Sequence, residues 1–379
     1  MITIYQKSLL EHKKYKWKLA VTVKVPMNTK EDLGTYYSPW VAAPCLAIAE
    51  DNALAYEYTR KWNLVAVISD GSAVLWLWNI WGIAWFPVME GKSILMKNFA
   101  NLDSVPIILD TQDTEQIIQT ISNISPSFGA INLEDISAPR CFEIEERLQE
   151  MLNIPVFHDD QHGTAIVVLA GLINSIKIVN KQIENCKVVI VGAGAAGIAI
   201  AKLLYIYGYR DIIMCDTKWA IHNHRTDLNK YKQIIAWYNR YNLTWSLEEV
   251  IIWSDIFIWV SQKDLLTEKM IKTMAKDRII FALANPDPEI LPDIAKSAGA
   301  KIIATGRSDY PNQVNNILAF PGIFRGLLDG KIPQILDKHK LAAAIAIANF
   351  ISEPSVDHIL PDALTPGVAN IVAEAVKKA

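Results

Sequence analysis

Residues 187–197, KVVIVGAGAAG, constrain this chain more than any other stretch. An apolar run from Val188 to Val191 leads into Gly192, Gly194 and Gly197, with Ala195 and Ala196 between the last two. A helical pattern follows from Ala195 to Tyr207, and Gly208 stops it. Strand, tight glycine turn and helix in this order make a pyrophosphate-binding corner: the glycines let the backbone approach the anion, and the helix start offers unpaired N–H groups. A second apolar run, 212–215, ends in Asp216, about twenty residues on, where a carboxylate hydrogen-bonds a ribose 2′-hydroxyl. An acid there repels a 2′-phosphate, so the pattern predicts NAD rather than NADP.

Upstream, strands alternate with helices: strand 106–110, helix 114–124, strand 130–135, helix 142–152, strand 154–160 and helix 163–179. That alternation implies a parallel sheet. Acids close two of the strands, Glu134 with Asp135 and Asp159 with Asp160. Ligands of open α/β sheets gather beyond such strand ends. Carboxylates converging there repel one another unless a cation joins them, and oxygen-only ligands suit Mg²⁺ or Mn²⁺; the same acids also serve as helix caps and solvated loop residues. His158 and His162 have no cysteine or third histidine spaced to complete a zinc site and are taken as loop or supporting residues, and Cys215, His222 and His224 are taken as an incidental grouping. Beyond the glycine turn, strands at 256–260, 279–284 and 302–304 continue the sheet.

The predicted fold class is α/β: an amino-terminal α/β catalytic domain (1–155), a doubly wound Rossmann-type NAD-binding domain (156–335), and a carboxy-terminal helical segment (336–379) packing back on the body. Net charge is only -3, which gives no reason to expect nucleic acid as a partner. The apolar run 165–178 is shorter than a membrane span and is interrupted by Gly171, Asn174 and Lys177, so a buried helix is expected and no membrane. Four cysteines without disulfide or metal spacing, and no signal-peptide pattern, predict a cytoplasmic protein. A turn at Pro87 is expected to lead into a helix opened by Lys92.

Taken together, YSPWVA, SDGSAV, PVMEGK, INLEDISAPRCFEIEERL, PVFHDDQHGTA, VGAGAAGIAIAKLL, FALANP and ATGRSDYPNQVNN resemble the malic enzyme family in its compact bacterial form, from about residue 15 to the end. The resemblance implies NAD-dependent, Mg²⁺- or Mn²⁺-dependent oxidative decarboxylation of malate to pyruvate. It implies Lys92 as general base and Tyr37 as general acid, Glu134, Asp135 and Asp160 as metal ligands, and Asn285 and Asn316 as substrate-side and nicotinamide-side asparagines. A homodimer is also implied, with Tyr37 crossing the interface as one arrangement. Two other readings stand beside it: a non-decarboxylating 2-hydroxy acid dehydrogenase, and a catalytically impaired NAD-binding homologue.

The impaired reading arises from composition, for there are twelve tryptophans beside seventeen glycines. At Trp17, Trp40, Trp62, Trp76, Trp78, Trp81, Trp219, Trp245, Trp253 and Trp259 the resemblance leads one to expect glycine. An indole adds bulk where backbone should approach a ligand or take positive φ. Several of these positions flank the Tyr37 loop and the segment before Lys92, and Trp259 is expected to end a strand facing the cofactor. Such uniform replacement suggests a codon translated as tryptophan that the source organism reads as glycine.

Overall fold

The computed structural model describes residues 3–15, 18–74, 79–261, 266–284 and 290–379. Asn285, Trp17, Trp76 and Trp78 lie outside them. Two sheets organise the chain. The first holds β1 (Leu64–Ser69), β2 (Asp103–Ile108), β3 (Ala130–Leu133) and β4 (Val156–His158) in the order β2-β1-β3-β4, all parallel. The run LVAVIS carries no polar alternation because helices cover both faces of a parallel sheet, and β1 is buried along its whole length.

The second sheet contains β5 (Lys187–Val191), β6 (Asp211–Asp216), β7 (Trp219–Ala220), β8 (Ile256–Trp259), β9 (Ile279–Ala282) and β10 (Ile302–Thr305), ordered β10-β9-β8-β5-β6-β7. Only β7 is antiparallel to its neighbour. After β5 the chain moves outward to β6, then returns to place β8 on the other side of β5. The crevice of a doubly wound fold opens at that reversal, and the glycine turn lies there. Gly192 has φ +111°, and a Cβ on Gly197 would sit 1.8 Å from the Gly192 carbonyl oxygen; this spacing of glycines is therefore a steric requirement.

A single helix, Asp159–Val179, connects the two sheets. By length and composition it could cross a membrane, but residues 165–175 are all buried inside the protein, as a core helix should be. Its Asn174 side-chain amide donates to Ala348 O at 2.9 Å and Ile359 O at 3.0 Å. Those two bonds fasten the helix Asp337–Asn349, and the segment between it and the last helix, Val368–Lys378, to the body. The helix Phe320–Asp329 returns to the first sheet, where Arg325 donates to the Asn63 side chain at 2.6 Å. One continuous core runs through the first sheet, these helices and one face of the second sheet, while the other face has its own core. Trp259 fills that second core. It is wholly buried against Phe257 and donates its indole N–H to Ser261 at 2.7 Å, so its ring does not line the cofactor crevice as expected.

Candidate active site

Lys92 does not open a helix. It sits in the middle of Gly82–Ala100, with Pro87 inside that helix rather than at its start. A proline there leaves the carbonyl four residues back without its bond; that residue, Ile83, is exposed, so water can take the place of the missing donor. Burial on this helix brings the Lys92 ammonium to Asp159 Oδ2 at 2.5 Å and Glu134 Oε1 at 2.8 Å, above the Phe320 ring at 4.2 Å from its centroid. Burial alone lowers a lysine pKa; here the Asp159 and Glu134 carboxylates outweigh it and hold Lys92 above its ordinary value.

The acids come from the segments that directly follow two strands. Glu134 and Asp135 follow β3, and Asp135 takes a left-handed φ of 51°. Asp159 and Asp160 occupy the first turn of the helix that begins directly after β4, not the end of a strand. This tight junction explains Gly163, where a Cβ would meet Asp159 Oδ1 at 2.0 Å. Asp160 Oδ2 accepts from the Asp135 amide at 2.7 Å, Glu134 Oε2 from Asn132 at 2.8 Å, and Asp159 Oδ2 from Asn316 Nδ2 at 2.5 Å. Asp159 Oδ1 is buried with no hydrogen-bond partner among the described residues.

Four carboxyl groups, Asp160 partly exposed and the other three buried, thus gather around one ammonium that touches two of them. Burial first, then mutual repulsion, pushes Glu134 and Asp159 up to about 7 and Asp160 to about 6, and raises Asp135 well above its ordinary value. A lysine in contact with only two of the acids leaves negative charge uncompensated, the condition under which an oxygen-ligated divalent cation is held. Asp135 Oδ2 is engaged by the Trp85 indole N–H at 2.6 Å. Among the described residues no three acid or histidine groups already converge at ligand length; the fit lies in donor chemistry and charge.

Of the residues singled out in the sequence, Lys92, Glu134, Asp135, Asp160 and Asn316 come together. Asp159, noted there only as one of four strand-end acids, is the contact shared by Lys92 and Asn316. Tyr37 stands apart: it follows the helix Lys30–Tyr36 and is 70% exposed. Glu145 was not anticipated. It is buried and accepts from the His158 amide at 2.9 Å, Gln161 Nε2 at 3.0 Å and His162 Nε2 at 2.9 Å. Burial opposes its ionisation, but the His162 imidazole beside it prevails and holds it at about 2. The two histidines therefore belong to the support under the acid-bearing turn; His158 Nε2 also lies 3.4 Å from Asp160.

On the nucleotide side, Gly194 caps the helix Ala195–Tyr207 with open space around it, leaving the helix start free for an anion. Asp216 ends β6 as expected, but its carboxylate is not free. Arg225 grips it at 2.8 and 3.2 Å, Lys232 adds a contact at 2.7 Å and the Lys218 amide one at 2.9 Å.

Comparison with known proteins matches residues 15–149 to the malic enzyme N-terminal domain and residues 161–379 to the malic enzyme NAD-binding domain. The bifunctional malic/malolactic enzyme of Bacillus subtilis (strain 168) is 51% identical over 382 residues, covering 100% of this chain and 93% of that protein. The NAD-dependent malic enzyme of Geobacillus stearothermophilus is 53% identical, covering 96% of this chain and 76% of its own length. Other relatives, between 45% and 49% identical, are named NADP-dependent malic enzymes, one of them as probable. The crystal structure of the NAD-dependent malic enzyme from Thermotoga maritima superposes with a TM-score of 0.95 at 46% identity, covering 98% of each chain. With the lysine and acid group at the first sheet, the glycine turn at the second, and both halves matched along nearly the whole length, the chain belongs to the malic enzyme family.

Proposed function

We propose that the protein oxidatively decarboxylates malate, converting malate and NAD⁺ to pyruvate, CO₂ and NADH, in the cytoplasm. The observation that carries this reading is one buried lysine held against acids that outnumber it, in a chain whose second sheet carries a dinucleotide turn. Lys92 takes the proton of the C2 hydroxyl as hydride leaves C2 for the nicotinamide. To act as a base the resting ammonium must first give up a proton that its contacts with Asp159 and Glu134 hold in place, and a divalent cation bound by the neighbouring acids would offset that hold. Asn316 fixes that Asp159 oxygen. Glu134, Asp135 and Asp160 would hold the Mg²⁺ or Mn²⁺, which when bound supplies a Lewis acid for the charge left when C4 departs as CO₂. Asn285 is assigned to the substrate and the nicotinamide side. The test is product analysis with malate, NAD⁺ and Mn²⁺: equal yields of NADH, CO₂ and pyruvate are expected, and oxaloacetate accumulating without CO₂ would refute decarboxylation.

Tyr37 delivers the last proton, to C3, and we place it in a second copy's site. Its exposure supports this, as does the apolar surface of the amino-terminal segment, where Tyr5, Leu9, Val21, Val23, Trp40 and Leu46 are all exposed. Such a surface suits an isologous homodimer. Mixing inactive Tyr37→Phe and Lys92→Ala subunits is then expected to restore roughly a quarter of the parental rate, since half the dimers carry one intact site of two. No recovery in exchanged dimers would place Tyr37 in its own subunit's site.

NAD is the proposed cofactor, chosen by the acid at Asp216. Because Arg225 and Lys232 offset that acid, discrimination against NADP should be modest. Asp216→Ala leaves those cations facing the 2′ position and is expected to move the kcat/KM ratio toward NADP by roughly tenfold. An unmoved ratio would show that Asp216 does not select the cofactor.

A further inference from the structure

A cavity of about 220 Å³ lies between the helices Asp159–Val179 and Ala195–Tyr207 and the start of Asp337–Asn349. It includes neither the acid group nor the glycine turn. Its apolar wall comes from Ile198 and Leu203, and its polar wall from Gln161, His162, Lys202, Asp337 and Lys340. Lys340 is mostly buried and paired with Asp337 at 3.1 Å. Lys202 is half-buried, and among the described residues it makes no ion pair; the Tyr231 ring, 5.7 Å from its ammonium, is the contact it has. Burial is the largest influence on its pKa and lowers it, against the Glu146, Asp337 and Glu145 carboxylates nearby, with none of which it makes an ion pair among the described residues. Two ammonium groups at the edge of an open space with an apolar side form a receptor for a small anion with a short carbon or phosphoryl body.

We propose that this cavity binds a small dianion, a dicarboxylate or a phosphate, on Lys202 and Lys340. The space is equivalent to roughly seven waters, enough for a molecule of up to about ten non-hydrogen atoms. Occupancy reaches the active site through side chains already described. Gln161 and His162 line the cavity and also hold Glu145, which accepts the His158 amide at the start of the acid-bearing turn. An anion seated here braces that turn from behind, and so acts as an effector rather than a substrate. The binding claim stands whatever reaction the protein catalyses.

The experiment is calorimetric titration of the full chain with succinate and, separately, inorganic phosphate, each up to about 10 mM, with Lys202→Gln and Lys340→Gln as comparisons. At least one anion is expected to bind, weakening roughly tenfold or more in each variant, while NAD⁺ binding is unchanged. Which anion responds separates the dicarboxylate from the phosphate. Succinate bound at the substrate site would titrate identically in parent and variants. Hydrogen exchange of the amides at 158–165 should slow with the anion in the parent and not in Lys202→Gln. Absence of binding by both anions, or equal affinity in folded variants, overturns the site; binding without altered exchange overturns its link to the acid-bearing turn.

Discussion

Lys92→Ala is expected to reduce malate oxidation by roughly 10²–10⁴-fold, the range for loss of a positioned general base, with little effect on NAD⁺ affinity. The substitution removes the cation shared by Glu134 and Asp159. Those acids, already pushed up to about 7, should then be raised further, so the variant holds their protons to higher pH. Asp159→Asn provides the companion measurement. It keeps the shape of the side chain but removes one of the two charges that hold the Lys92 proton. Because Asp159 helps to hold the Lys92 proton, its loss should move the rise of rate with pH to lower pH than in the parent. Steady-state rates from pH 6 to 9 check both variants. A Lys92→Ala enzyme that keeps parental turnover would remove the lysine from the chemistry altogether, and an unshifted profile for Asp159→Asn would show that this carboxylate does not set the protonation of Lys92.

The second large effect is expected from the tryptophans. Trp81, Trp219 and Trp253 have φ of 63°, 75° and 60°, where a bulky side chain is an outlier. Trp81 also has ψ 156°, a combination populated almost entirely by glycine. Their side chains are 53%, 53% and 74% exposed, so little packing compensates. Trp→Gly at each is expected to stabilise the protein, by about 1–2 kcal/mol after glycine's own entropy cost is deducted. The triple variant should melt several degrees higher. Trp259→Gly should do the opposite, costing about 3–5 kcal/mol, because that indole fills a core. Trp85→Gly frees Asp135 Oδ2 and should raise turnover. A triple variant that melts lower than the parent would show that the left-handed positions carry no strain. We propose that the native protein has glycine at Trp81, Trp219 and Trp253, and intact mass of protein from the native source decides it: a mass requiring all twelve tryptophans refutes the idea.

Much of the fold was legible because its signals are local. The glycine turn and the helix Ala195–Tyr207 follow from a handful of adjacent residues, and Thr114–Ile124 from a clean helical period closed off at its start by Asp113, whose side chain accepts the Gln116 amide. Misreadings arose where the deciding partner is distant. The run HDDQHG reads as a strand followed by a turn because His158 makes no side-chain cap to announce a helix. The bond that steadies that start comes from Glu145, in a stretch, EIEERLQE, that looks like a solvated helix face. Pro87 suggested a helix start, whereas the helix had begun at Gly82 and tolerates the ring on an exposed turn. The identity of Asp216 was readable; the grip of Arg225 and Lys232 on it was not, since those residues lie across a loop. Tyr37 was nameable only through resemblance, and its exposure is a property of the folded surface.

The helix Asp159–Val179 carries two of the acids on its first turn and lies along the helix that receives the nucleotide. In the proposed reaction, nucleotide and metal would therefore be registered by one stiff rod instead of by the relative tilt of two lobes. A chimera that borrows a nucleotide half from a relative should keep this rod with its parent acids and be joined after residue 179; a seam inside it would misalign hydride transfer and carbon–carbon cleavage together.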